Sequence, residues 1–198
     1  MFVNPMYTSA GSFDLGSGEL IVTDPCYDKP DFNGKGSSAS GGIYQAQAQS
    51  GKWDSFTRES DQGEWGIRVA ELYAIHEKYD IRSLAVVNLN AEIGVDSGQA
   101  GIFDNQTYQG RIEDGDEYER ISSHTLNGSL AGCVEYGCVS SSGFGDGGYI
   151  LFGAHVDNRL VYAHIIYMYD DKVVRQMIDD ANAYPIHDLL LIDSCLRE

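Results

Sequence analysis

Ile93-Gly94-Val95-Asp96-Ser97-Gly98-Gln99-Ala100-Gly101-Ile102-Phe103-Asp104 reads as a short apolar strand that ends in tightly spaced small and acidic residues. Glycine at 98 and 101 lets the backbone approach closely or take φ > 0, while Asp96, Ser97, Gln99 and Asp104 crowd oxygen-bearing side chains into the nine residues 96–104. Working outward, the pattern recurs: short apolar runs separated by turn-forming clusters, with 23 glycines, 13 tyrosines and only 4 prolines. That describes a mainly β chain, a β-sandwich or strongly curved antiparallel sheet with a C-terminal helix, becoming α+β if helices are more extensive.

Leu20-Ile21-Val22 is the expected first strand, halted at Asp24-Pro25 because proline cannot donate to a ladder. Lys29 to Gly42, rich in glycine and serine, reads as a long mobile loop. Ile43 to Phe56 reads as extended. Trp65 to His76 is favoured as a strand with Trp65, Ile67, Val69, Tyr73 and Ile75 on one face, interrupted by Glu71; a helical period remains the alternative. Further runs fall at Leu84-Val87, Ala91-Val95 and Cys133-Val139, and Tyr149-Ala154 and Leu160-Tyr169 flank Asp157-Asn158 as a hairpin. Val173, Val174, Met177, Ile178 and Ala181 recur at helical spacing behind Asp170-Asp171, which predicts a helix within 171–183. Leu189-Leu190-Leu191-Ile192 is too short to assign. At 198 residues and 42% hydrophobic, the chain is expected to form one domain, 1–198, with a β-rich core over 17–169 and a helical extension over 170–198.

Charge narrows the partners. Thirty Asp plus Glu against 13 Lys plus Arg leave a formal net charge of -17. Such a field repels polyanions, so no direct nucleic-acid binding is expected without a metal, and a basic protein or a bound cation is the natural complement. Met1-Phe2-Val3-Asn4-Pro5 lacks a basic segment leading into an apolar one, and no window approaches the ~18 apolar residues of a membrane span, so a soluble cytoplasmic protein with no membrane contact is expected. Cysteines at 26, 133, 138 and 195 lack zinc-ligand pairing and read as free thiols.

Three acidic turn motifs each place one Asp at a strand end: Thr23-Asp24-Pro25-Cys26-Tyr27, Gly94-Val95-Asp96-Ser97-Gly98 and Gly143-Phe144-Gly145-Asp146-Gly147-Gly148-Tyr149. Convergent carboxylates could hold Mg²⁺, Mn²⁺ or Ca²⁺, whose bound water a hydrolase activates. On that reading Asp24, Asp96 and Asp146 are metal ligands, Asp24, Asp96, Asp104 and Asp146 the catalytic set, and Cys26, Ser97, Gln99 and Tyr149 contact ligand; no cofactor is required otherwise. The alternative is that each Asp hydrogen-bonds its own turn. A phosphate-binding loop is excluded because no lysine occurs from 79 to 171. Ser122-Ser123-His124 lacks a nucleophile elbow, so His124 reads as a polar surface or hydrogen-bonding residue, and His76, His155 and His164 as satisfied strand histidines. The acidic run Glu113, Asp114, Asp116, Glu117, Glu119 reads as a solvated loop whose carboxylates could present negative charge to a basic partner much as phosphates do.

Taken in order, Gly18-Glu19-Leu20-Ile21-Val22-Thr23-Asp24-Pro25, the 94–104 stretch and Gly145-Asp146-Gly147-Gly148-Tyr149 resemble an uncharacterised β-rich family of bacterial and phage proteins, a domain of unknown function with G-x-L-x-V-x-D-P, V-D-[SA]-G…D and G-D-G-G-Y motifs. The resemblance covers roughly residues 17 to 169. It implies a mostly β domain in a phage or mobile-element setting, hence host cytoplasm, and supplies no activity. The first functional expectation is therefore an acidic binding or inhibitor protein, such as an anti-defence protein engaging a basic nucleic-acid-handling effector. A metal-dependent hydrolase, nuclease or phosphoesterase, and a small-molecule binding module are the alternatives.

Overall fold

The apolar runs form strands that bury one face in a common interior, and the central ones, such as 69–76, 99–104 and 160–166, are buried along nearly their whole length because their outer faces are covered as well. The computed structural model describes residues 7–110, 116–126 and 128–169. In chain order the strands are β1 (Thr8–Leu15), β2 (Glu19–Thr23), β3 (Ser37–Ser40), β4 (Ile43–Gln47), β5 (Gly51–Asp61), β6 (Ile67–His76), β7 (Val87–Val95), β8 (Gln99–Asp104), β9 (Ala131–Val134), β10 (Gly137–Ser141), β11 (Gly147–Val156) and β12 (Arg159–Ile166), with a helix α1 (Asp116–Leu126) between β8 and β9. They form two antiparallel six-stranded sheets, ordered β1-β5-β6-β12-β11-β7 and β3-β4-β2-β8-β10-β9, and neither closes into a barrel. The mainly β expectation holds.

The interior between the sheets is built from Phe13, Leu15, Trp53, Leu72, Ile93, Leu151 and Ile165 of the first sheet against Leu20, Val22, Tyr44, Ile102 and Cys138 of the second. Each sheet also covers its outer face. On the first, Phe56, Tyr73, Ile75, Phe152, Tyr162 and Ile166 pack with Tyr7 and with Leu84 and Val86 from the connection into β7. On the second, Ile21, Phe103, Val134 and Val139 pack beneath Ile121 of α1 and Tyr108. Ala91-Val95, Tyr149-Ala154 and the 157–158 hairpin stand as read, Leu160-Tyr169 is strand through Ile166, and Cys133-Val139 is not one run but parts of β9 and β10 on either side of a turn at Glu135-Tyr136. Asp157 and Asn158 take φ of 50° and 61°, the paired positive values of a two-residue hairpin turn that matches strand twist.

Several expectations are corrected. Leu20-Ile21-Val22 is not the first strand, because β1 precedes it and pairs along β5. The end of the supposed 29–42 loop becomes β3, an exposed edge strand held only by its ladder to β4. The run 43–56 is two strands, β4 and β5, one in each sheet. Trp65 to His76 is a strand only from Ile67; Gly63–Trp65 is a single 3-10 turn, and Trp65 and Ile67 are exposed instead of lying on the apolar face. Ile81–Ser83 forms another such turn, after which Leu84 and Val86 are buried ahead of β7. The acidic run read as a loop supplies the start of α1: Asp116, Glu117 and Glu119 sit in its first turn, where the helix dipole favours them, and Glu113 and Asp114 lie outside the described residues. The predicted 171–183 helix and the 189–192 run also lie outside them. Among the described residues no helix is long and apolar enough to cross a membrane.

Candidate functional site

β2 stops at Asp24 because Pro25 has no N–H, and the chain turns back with Tyr27 N–H donating to the Asp24 carbonyl at 3.1 Å. The Asp24 side chain is wholly buried and fully engaged. Its Oδ1 accepts from Cys26 N at 2.8 Å and Ser97 Oγ at 2.6 Å; its Oδ2 accepts from Asp96 N at 2.8 Å and Ser97 N at 2.7 Å. The carboxylate of the first motif is thus seated in the backbone of the second. A buried anion with that many donors is satisfied without a cation partner.

Two backbone features make the seat possible. Gly98 takes φ 72°, and a Cβ on Gly101 would fall 2.2 Å from the Phe103 ring. The 40–42 turn closes the other side, with Gly94 N–H donating to Gly42 O at 3.0 Å; a Cβ on Gly42 would lie 2.8 Å from Gly94 N. The third motif abuts the second through Ser142 N–H donating to Gly98 O at 3.0 Å. Its own turn is clasped by Tyr149, whose hydroxyl donates to Ser142 O at 3.0 Å and Gly145 O at 2.5 Å.

The motifs therefore meet, but their carboxylates do different things. Asp104 is buried and binds its own turn: Oδ1 accepts from Gln106 N and Thr107 N at 3.1 and 2.8 Å, and Oδ2 from Ser17 N at 2.8 Å. Asp146 is exposed on the 142–147 turn and takes no part in the Asp24 lock. Gln99 is buried, its Oε1 accepting from Thr125 Oγ1 at 2.7 Å to tie β8 to α1. Ser122 Oγ donates to Glu119 O, and the His124 ring lies over Gly132, so these two form no Ser–His pair. Among the described residues no three His, Cys, Asp or Glu side chains stand together to hold one metal ion.

What remains open is a cleft of about 510 Å³ lined by Cys26, Tyr27, Asp28, Gly41, Ile43 and Asp96. Asp96 and Asp28 are exposed there, and Tyr27 donates from its hydroxyl to Asp96 Oδ2 at 2.9 Å. Burial, then the hydrogen bond and charge of Asp24 and the charge of Asp96, push the Cys26 thiol up to about 12. A thiol so held stays protonated and is a poor nucleophile at neutral pH. Asp28 and Tyr27 were not singled out by sequence; their only signal was closeness to the Asp24-Pro25 stop.

Glu71 was noted in sequence only as an interruption in an apolar strand. It is buried on the outer face of the first sheet, where Arg58 Nε donates to Oε1 at 2.7 Å, His164 Nε2 to Oε2 at 2.8 Å, and Tyr7 from its hydroxyl. The other nitrogen of His164 is hydrogen-bonded to the Tyr162 hydroxyl at 3.0 Å. Burial pushes the Glu71 carboxyl up, but the hydrogen bond and charge of His164, the charge of Arg58 and the Tyr7 hydrogen bond outweigh it and hold it at about 2.

No known protein family, curated protein or solved structure matches this chain.

Proposed function

We propose that the chain is an acidic binding protein of the inhibitor type, presenting negative surface to a basic protein partner. The observation that carries this reading is the fate of the motif carboxylates. Asp24 and Asp104 commit their acceptor capacity to their own backbone, and Cys26 is held as a thiol, so three of the strongest chemical candidates are occupied with structure. The other carboxylates of a chain whose formal net charge is -17 remain for recognition. The motif resemblance favours a phage or mobile-element setting, with a nucleic-acid-handling defence effector as the partner and its basic groove as the docking site. Glu119 on α1 is exposed, whereas Glu117 accepts from the Tyr136 hydroxyl and from Gln109 N at 3.1 Å and so also braces the fold.

The test is kinetic. Association with a basic protein retained at low salt should slow steeply as salt rises, since the Debye length falls from ~10 Å at 0.1 M to ~3 Å at 1 M. Association indifferent to salt would overturn the reading. Neutralising Glu113, Asp114, Asp116 and Glu119 with Glu117 left intact should slow binding several-fold if that run is the docking face.

The cleft supports a second reading, a metal-dependent hydrolase or small-molecule module. Asp96 and Asp28 offer two exposed carboxylates at its mouth, enough for a hydrated divalent cation that keeps most of its waters. Calorimetric titration with Mg²⁺, Mn²⁺ or Ca²⁺ tests it directly: heat that disappears in Asp96→Asn supports this reading, and absence of heat for all three removes it.

A further inference from the structure

The connection between β5 and β6 carries its apolar side chains outward. Trp65 is 69% exposed and Ile67 55%, and Phe144, from the distant 142–147 turn, is 61% exposed. The two aromatics are gathered, not scattered, with Ile67 two residues along the chain from Trp65: the Trp65 and Phe144 rings meet edge to face with centroids 6.4 Å apart, and the Arg68 guanidinium lies 5.9 Å from the Phe144 centroid while its Nε donates to Trp65 O at 3.0 Å. Both loops are tied by their own hydrogen bonds. Gln62 N–H donates to Gly66 O, Gly66 N–H to Gly63 O and Gly63 N–H to Asp61 Oδ1 at 3.0, 2.9 and 2.9 Å, and Ser142 and Tyr149 clasp the turn that carries Phe144. An aromatic pair held out in water by ordered loops forgoes burial, yet is already arranged for a partner.

Charge identifies the partner. Asp61 stands across the ladder from Ile67 and Glu59 from Val69, Glu64 precedes Trp65 and Asp146 lies two residues beyond Phe144; all four carboxylates are exposed, while Arg68 is half-buried. We propose that Trp65, Ile67 and Phe144 form the anchoring surface for a cationic segment of a partner protein, one that carries lysine or arginine together with an aliphatic or aromatic side chain. The inference rests on the acidic-binder reading and moves its centre away from the 113–119 run. Apolar contact supplies the anchor, and the surrounding carboxylates steer and orient the cationic residues. An anionic bilayer would be repelled by the same carboxylates.

The two tryptophans allow a direct test, because Trp53 is fully buried and Trp65 is not. The full chain is titrated with a short lysine–leucine peptide and with a lysine–glycine peptide of equal charge. The expected result is a blue shift of emission and protection from acrylamide with the first peptide. By anisotropy of the labelled peptide, binding should weaken about tenfold in the Trp65→Ala, Phe144→Ala double variant and several-fold in Asp61→Asn, Glu64→Gln, Asp146→Asn, at unchanged melting temperature. Salt-sensitive binding that leaves Trp65 as quenchable as before keeps the acidic-binder reading and overturns this surface. Binding of neither peptide overturns both. A blue shift with phosphatidylcholine vesicles, or on raising protein concentration alone, assigns the surface to a bilayer or a second copy and overturns the proposal. The quenching measurement on the unaltered chain decides the matter even if the double variant does not fold.

Discussion

Asp24 and Glu71 are both buried carboxylates, one just past the end of β2 and the other within β6, and they are satisfied by opposite means. Asp24 takes its hydrogen bonds from three backbone N–H groups and one serine hydroxyl, all within two short motifs. Glu71 takes its bonds from side chains, drawn from β5, β12 and Tyr7. The first arrangement fixes where a loop runs. The second stitches three separate pieces of chain together across the face of a sheet, and places cationic groups against the anion. Charge matters differently in each: the backbone lock can be imitated only by another acceptor, whereas the side-chain cluster depends on who is protonated.

Removing Asp24 should have the largest effect. Asp24→Ala leaves four donors facing a dry cavity, at a cost of about 3–5 kcal/mol and a melting temperature lower by on the order of 10 °C. Asp24→Asn should recover only part of this, because its amide NH₂ would face at least one backbone N–H in either orientation. If thermal melts show Asp24→Asn within a degree or two of the parent, the lock is not what holds the turn.

Glu71 should give a comparable loss with a different signature. Glu71→Gln leaves the Arg58 guanidinium without its counterion and weakens the acceptor that holds the buried His164 ring, at about 2–4 kcal/mol near pH 7. The sign of the pH dependence follows from the depressed carboxyl. A folded value of about 2 against 4.5 for the free group means that its stabilisation is complete above roughly pH 5 and is lost as pH falls through 4.5 toward 2. Denaturant melts should therefore show the parent losing on the order of 2–3 kcal/mol across that window from this group, and Glu71→Gln losing correspondingly less. Parallel curves for the two proteins would show that Glu71 is not the group responsible.

The same contrast explains what could be read from sequence. Asp24-Pro25 as a strand stop, Asp157-Asn158 as a hairpin turn and the positive φ at Gly98 are local consequences of residue chemistry, so they were legible. β1 and β3 were not: Thr8–Leu15 and Ser37–Ser40 are rich in serine and other small residues, and the partner ladder, not their own pattern, makes them strands. α1 was hidden because its acidic first turn looks like a solvated loop until Ile121 and Thr125 are seen packing on the second sheet. At the site, the meeting of the Asp24 and Asp96 motifs was suggested, but the direction of each carboxylate was not. Trp65 and Ile67 were placed on the apolar face because period two continues through them; a β-bulge at Ala70, where the ladder passes from Arg58–Glu71 to Glu59–Val69, breaks that register, and Trp65 lies in the 3-10 turn ahead of the strand. The Glu71 cluster joins residues 7, 58, 71 and 164, a separation no local pattern encodes.

Asp96 provides a smaller and sharper test, since it lends its backbone N–H to the lock and keeps its carboxylate for the cleft. Asp96→Asn retains an acceptor for the Tyr27 hydroxyl, so the cost should stay within about 1 kcal/mol and the melting temperature within a few degrees. A collapse like that of Asp24→Ala would mean that the carboxylate itself, and not only its peptide, is part of the structure.

The smallest expected effect is on Cys26, which reports the field that Asp24 leaves uncompensated. Burial gives the largest push on the thiol, and the hydrogen bond and charge of Asp24, which has no cation among its hydrogen-bond partners, add to it ahead of Asp96. At pH 8 a thiol near 12 carries about a hundred- to a thousandfold less thiolate than one near 9, and alkylation proceeds through the thiolate. Cys26 is half-exposed, so iodoacetamide can reach it, and slow reaction would reflect ionisation more than access. Peptide mapping by mass spectrometry separates it from Cys133, Cys138 and Cys195. The expected outcome is labelling of Cys26 far slower than of a free peptide thiol, rising steadily with pH through 10 and increased a few-fold by Asp96→Asn, which removes one of the two opposing charges. Rapid labelling at pH 7 would mean that burial and the Asp24 carboxylate do not hold the thiol protonated, and would make Cys26 a candidate nucleophile.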